Sequence, residues 1–111
     1  MNLKLPLLKY LLLMLMLGGL VRPGIADTDP WRIWKQPGVQ AIMRHATAPG
    51  VGDPDNFVLG RCETQRNLSA QGVEESKALG QRIKENGIEL DYVYSSQWCR
   101  CLDTAHSLGV A

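Results

Sequence analysis

No charge of either sign dominates this sequence of 111 residues, in which 12 Lys and Arg stand against 11 Asp and Glu for a formal net charge of +1. The balance excludes the self-repelling composition of a disordered tail. It also offers no clustered cationic surface able to neutralise many phosphates, so nucleic acid is not an expected partner. Three cysteines are too few for a disulfide scaffold, and the chain has neither internal repeats nor a low-complexity tract. What is there, 45% hydrophobic and 21% charged residues, suits one globular domain at most.

The first 26 residues read differently from the rest. Lys4 and Lys9 form a short basic region, Tyr10 to Leu20 is apolar apart from Gly18 and Gly19, and Arg22, Pro23 and Gly24 break the run. Gly24-Ile25-Ala26 supplies small residues at the minus three and minus one positions of a cleavage site. Crossing a bilayer takes about 20 apolar residues, and this stretch counted from Leu5 carries Lys9 inside it. The expectation is a secretory signal over residues 1–26, with an uncleaved N-terminal anchor as the alternative, and a periplasmic or secreted location. Membrane contact is then made only through the signal before cleavage. No Cys follows the apolar run, so a lipoprotein is not indicated.

Without residues 1–26 the chain keeps 9 basic and 11 acidic residues, a formal charge of about −2. An exported chain meets an oxidising compartment, where Cys62, Cys99 and Cys101 can pair. Three is odd, so one is left free or its partner lies in sequence not present here. A bridge from Cys62 to either Cys99 or Cys101 pins the intervening loop, and the sequence does not choose between them.

Along residues 27–111, Trp31 and Trp34 are spaced for one helical turn laid on a core edge, a packing role rather than a binding one. Gln36-Pro37-Gly38 marks a turn, and Val39 to Met43 reads as a buried strand. Residues 46–67 hold Pro49-Gly50, Gly52, Asp53-Pro54 and Gly60 without a period, a long loop of the kind that is usually functional. Ser69 is a good N-cap for a helix over Ala70 to Asn86 that Gly87 ends, with Gly72, Ser76, Leu79 and Ile83 on one face for close approach to a sheet. Leu90 to Tyr94 reads as a second strand. Gln97 to Leu108 reads as a second helix with a stripe of Trp98, Cys101, Leu102, Ala105 and Leu108. Strand, helix, strand, helix predicts an α/β fold: a parallel-sheet βαβα unit with helices on the sheet faces.

In that topology the carboxyl ends of both strands share one edge. Arg44 and His45 follow the first, and Ser95, Ser96 and Arg100 follow the second, so residues 55 positions apart are expected in one crevice. Arg100 falls in the first turn of its helix, where free N–H groups and the dipole favour an anion. Two guanidinium groups and an imidazole there suit phosphate. A neutral imidazole can accept a phosphoryl group while arginines hold the charge on its oxygens.

Ile42-Met43-Arg44-His45-Ala46, Leu68-Ser69-Ala70-Gln71-Gly72 and the block from Ser95 to Ala105 together resemble the histidine phosphatase superfamily, which includes phosphoglycerate mutases and bacterial phosphohistidine phosphatases. The first is similar to its "RHG" or "RHA" signature, the second to "L[ST]xxG", the third to "SSPxxRxxxTA". The likeness covers nearly all of residues 36–109. It implies that His45 is the catalytic nucleophile that becomes phosphohistidine, that Arg44 and Arg100 bind phosphate, and that no metal or organic cofactor is needed. The substrate class it implies is a phosphorylated small molecule or a phosphoprotein.

The family completes its pocket with a second histidine after a later strand and with a carboxylic acid, and neither has a matching position here. With two of the expected strands present, residues 27–111 are expected to be the partial, N-terminal half of a phosphoglycerate mutase-like fold. The alternative to a phosphatase acting through His45 is a truncated, catalytically inactive phosphate-binding remnant, and a third reading is an anchored envelope protein that uses the domain for contacts only. Gln97 stands in the place of the usual Pro, and Glu75-Ser76 in that of Gln-Ala. Glu63 has no family motif behind it as a proton donor, and Arg66 reads as solvated or structural rather than as a residue of the pocket mouth. His106 lies roughly 9 Å along its helix from Arg100 at 1.5 Å per residue, too far to serve as the second histidine. A zinc site of Cys99, Cys101 and His106 fails on helical spacing. Asp53-Pro54-Asp55 is too short for a calcium loop.

Overall fold

A computed structural model describes residues 28–110 together with Gly24 and Ala26. The expected signal segment lies outside the described residues apart from those two. Among the described residues no helix is long and apolar enough to cross a membrane.

Among the described residues three helices carry the architecture: α1 (Pro30–Trp34), α2 (Ala70–Glu85) and α3 (Cys99–Leu108), with a 3₁₀ turn at Cys62–Thr64. Helix α1 is one turn long. Asp29 caps it by accepting from the Trp31 N–H, and Pro30 sits where a missing N–H costs nothing. Helix α2 starts where Ser69 Oγ accepts from the Gly72 N–H at 3.0 Å. It ends in a Schellman motif: Ile88 N–H reaches Ile83 O, Gly87 N–H reaches Lys84 O, and Gly87 takes φ +66°. The same turn brings Ile88 onto Ile83. These two and Leu108 form the buried centre of the core, with Trp31, Trp34, Leu79, Leu90 and Val110 packed around it. The Arg82 guanidinium lies 5.5 Å from the centre of the Trp31 ring, over its face.

The α/β expectation is not met. Among the described residues there is no strand, only an isolated bridge between Val58 and Arg61, so the parallel βαβα unit and its sheet faces are absent. Residues 39–43 and 90–94 run without a backbone ladder to each other. Their apolar side chains are largely uncovered, Ile42 being 99% and Tyr94 88% exposed. A strand exists only through the hydrogen bonds of a neighbour. An apolar run reads the same whether or not that neighbour arrives.

The small residues of α2 serve a different contact. Gly80 lies against the backbone of Leu108, where an added Cβ would stand 1.8 Å from the carbonyl oxygen, so α2 and α3 pack directly on one another. Gly72 lies as tightly against Thr47, at 2.2 Å from its carbonyl oxygen. Helix α3 begins at Cys99, two residues later than the expected start. Its buried positions are Cys99, Arg100, Thr104 and Leu108, whereas Leu102, expected in the stripe, is exposed.

Candidate functional site

His45 and its neighbours line a shallow depression of about 310 Å³, bounded by Arg44, His45, Ala46, Thr47, Ala48 and Glu75. His45 is half-buried and Arg44 exposed. His45 Nδ1 lies 2.7 Å from the Ala46 carbonyl oxygen. A carbonyl only accepts, so in the neutral ring Nδ1 carries the proton and Nε2 holds the lone pair.

The depression is built by long-range hydrogen bonds. Ala46 N–H donates to Thr104 Oγ1 at 3.1 Å, and the same hydroxyl donates to the Arg100 carbonyl at 2.7 Å. The residue after His45 is thereby fixed to α3 one turn beyond Arg100. This bond, not a shared sheet edge, brings the two motif regions together. On the other side Glu75 accepts from both the N–H and the hydroxyl of Thr47 and from the amide of Gln71. The Thr47 hydroxyl bond, then its N–H, then Gln71 hold the Glu75 carboxyl below its ordinary value against a weaker effect of burial, so it is an ionised acceptor.

Arg100 does not line the depression. It is 9% exposed, and its Nη1 donates to Asp53 Oδ1 at 2.9 Å and Oδ2 at 3.1 Å, with the Arg66 carbonyl at 3.4 Å. Its guanidinium carbon sits 4.5 Å from the centre of the Trp98 ring, and its Nε is buried without a partner. Asp53 also accepts from the Arg66 N–H at 2.9 Å. Burial works to raise the Asp53 pKa, but the Arg66 N–H bond, the Arg100 bond and the two positive charges outweigh it and hold the carboxyl below its ordinary value.

Arg66 braces the loop over residues 46–67: Nε donates to the Gly52 carbonyl and Nη1 to the Ala48 carbonyl. A disulfide joins Cys62 to Cys99, leaving Cys101 free, and Gln65 Oε1 accepts the Cys99 N–H at 2.9 Å. Phe57 packs on Trp98 with ring centres 4.9 Å apart. Glu63 is exposed and paired with Arg61. Its own backbone N–H, then Arg61, hold its carboxyl below the ordinary value. Sequence reasoning gave Asp53, Gln65 and Thr104 no role of their own. Only Thr104 had a visible signal, its place four residues after Arg100 in the "RxxxTA" pattern.

Comparison with known proteins agrees with the three motifs. The profile of the histidine phosphatase superfamily (branch 1) matches residues 41–111. Over 40 residues the chain is 50% identical to 2,3-bisphosphoglycerate-dependent phosphoglycerate mutase 2 of Lactiplantibacillus plantarum, and equally to the 2,3-bisphosphoglycerate-dependent phosphoglycerate mutase of Lactobacillus acidophilus. It is 42% identical over 40 residues to the corresponding mutase of Staphylococcus aureus. Each match takes in 36% of this chain and 17% or 18% of the relative, so it spans less than a fifth of those proteins. No solved structure matches.

Proposed function

Because the chain belongs to the histidine phosphatase superfamily, we propose that it serves phosphoryl transfer through His45, as a phosphatase acting on a phosphorylated small molecule or a phosphoprotein. The observation that carries the reading is the 2.7 Å contact of Nδ1 with the Ala46 carbonyl, which leaves Nε2 as the nucleophilic nitrogen.

In the first step the Nε2 lone pair forms a bond to phosphorus while the bond from phosphorus to the ester oxygen breaks, and that oxygen leaves with the electron pair and takes a proton from water. In the second step a water oxygen bonds to phosphorus, its proton passes to solvent, and the N–P bond breaks to return Nε2 and inorganic phosphate. Arg44, at the rim of the depression, is placed to hold the charge on the phosphoryl oxygens; Arg100 lies outside the depression, one turn from the Thr104 that binds Ala46, and the motif alone assigns it the same role. The carboxyl that lines the depression, Glu75, is held below its ordinary carboxylate range by Thr47, which makes it a poor proton donor to the leaving oxygen. General-acid help is worth about 10² to 10⁴ in rate. Aryl phosphates, whose leaving oxygen needs little protonation, are therefore turned over in preference to alkyl phosphates.

An exported location accompanies this reading, supported by the signal-like residues 1–26 and by a disulfide of the sort that persists in oxidising compartments. The test is to incubate the protein with 4-nitrophenyl phosphate, quench in base, and locate phosphohistidine by peptide mass spectrometry. Acid-labile label on His45, absent from His45→Ala, is expected. Unlabelled His45 with intact phosphate binding would instead establish the inactive phosphate-binding remnant.

A further inference from the structure

The loop over residues 46–67 closes on the start of α3, and its contacts converge on Arg100. On one side of Arg100 is the Cys62–Cys99 disulfide with the Cys99 N–H bonded to Gln65, and on the other is the Ala46–Thr104 bond. Arg100 itself is asymmetric. Both Asp53 oxygens and the Arg66 carbonyl gather on Nη1, while Nε is buried with no acceptor. A guanidinium has five N–H donors and no acceptor. A buried donor left unmade is unfavourable by enough that a native structure needs a reason for it. Nε is sealed within the protein, whereas Nη2 makes no bond among the described residues and is not enclosed, so with Nη1 fixed by Asp53 it is Nη2 that an anion can reach. Asp53 is fixed in turn: its side chain is 9% exposed, it accepts the Arg66 N–H, and Arg66 is tied to the Gly52 and Ala48 carbonyls.

We propose that Asp53 is a positioning residue, whose carboxylate anchors Arg100 by Nη1 and so leaves Nη2 for a phosphate oxygen. The proposal rests on the reading of Arg100 as a phosphate-binding residue. It has a definite sign. A carboxylate that stood in the phosphate's own place would have to be displaced, and its removal would tighten phosphate binding; an anchor's removal weakens it. In metal sites, loss of a group that orients a ligating side chain lowers affinity or activity by about 10- to 100-fold, and a loss of that order is expected here.

The experiment is a titration of the full chain with inorganic phosphate, followed by NMR of the arginine Nε–H resonances, on the native protein, Asp53→Asn and Arg100→Ala. Asp53→Asn keeps the size and the acceptor for Arg66 but removes the charge. The expected results are phosphate affinity at least tenfold weaker in both variants with the backbone spectrum preserved, and in Asp53→Asn an Arg100 Nε–H that is broadened before phosphate is added. A structural role alone would not produce that broadening in a folded variant. Unchanged or tighter binding in Asp53→Asn overturns the anchor. Unchanged binding in Arg100→Ala overturns the reading of Arg100 beneath it, and the two failures are thus distinct. Where Asp53→Asn does not fold, the native protein decides: phosphate must shift the Arg100 Nε–H while the Asp53 carboxyl carbon stays in place, and displacement of that carbon's resonance overturns the proposal.

Discussion

Replacing Gly72 by Ala adds one carbon where α2 touches the loop that follows His45. That carbon would stand 2.2 Å from the Thr47 carbonyl oxygen and 3.0 Å from its carbonyl carbon. Ordinary contact begins at 3.4 Å, so the Thr47 peptide must recede by about 1.2 Å. Neither atom is the end of a flexible side chain. Overpacking of this kind costs about 1–3 kcal/mol. The Thr47 carbonyl also accepts the Ser69 N–H at 3.0 Å, and losing that bond adds about 1 kcal/mol. Against these stands the higher helix propensity of Ala, about 1 kcal/mol. The net expectation is destabilisation by about 2 kcal/mol, read as a lower urea midpoint with unchanged slope. A displacement of about 1 Å beside a reacting group can lower rate about 100-fold. The rate of His45 phosphorylation by 4-nitrophenyl phosphate, measured where the variant is fully folded, should therefore fall by that order. Gly80→Ala is the comparator. Its Cβ meets Leu108 even more closely, at 1.8 Å, far along α2 from Thr47, so it should destabilise while sparing the rate. Gly72→Ala as stable as the native protein, with the propensity of Ala showing through, would refute the close approach; equal loss of rate in both variants would refute the link from Gly72 to the site.

The Cys62–Cys99 bridge closes a loop of sequence separation 37, which in the chain-entropy treatment corresponds to about 4 kcal/mol. Cys62→Ser should lower the thermal midpoint accordingly, and an unchanged midpoint would show that the bridge constrains nothing. Thr104→Val keeps the shape but strips the acceptor from the Ala46 N–H, with an expected loss of about 1–3 kcal/mol, checked by urea unfolding. For Asp53 the folded pKa lies below the model-compound 3.8, so the folded state takes up the proton less readily than the unfolded chain. Its contribution is complete above that value and fades as pH falls through the lower folded pKa. Acid titration followed by the Arg100 Nε–H resonance should show the pair intact through the range where an ordinary aspartate titrates and lost only below 3.8; loss at higher pH contradicts the assignment.

Much of this protein is legible in its sequence because the signals are local. Ser69 reaches Gly72 three residues on, and Gly87 turns the chain one residue after the cap, so α2 is written in neighbouring letters. Asp29, Pro30, Trp31 and Trp34 specify a one-turn helix in the same way. The residues proposed for the site, Arg44, His45 and Arg100, stand out through motifs whose residue types suit phosphate chemistry. Other properties depend on which distant atoms meet, and these the tertiary structure alone decided. The apolar runs at 39–43 and 90–94 state a preference for extended backbone, but no ladder among the described residues turns them into a sheet. Cys99 and Cys101 are two residues apart, about 200° around a helix, and only the packing of α3 against the loop put Cys99 beside Cys62. The face of α3 that is buried follows Arg100, Thr104 and Leu108 because α2 and Ala46 lie on that side, whereas the sequence pattern favoured Leu102. Asp53 lies 47 residues from Arg100. No periodicity links a loop carboxylate to a helix guanidinium across that span, since their attraction acts only once the fold has brought them within a few ångströms.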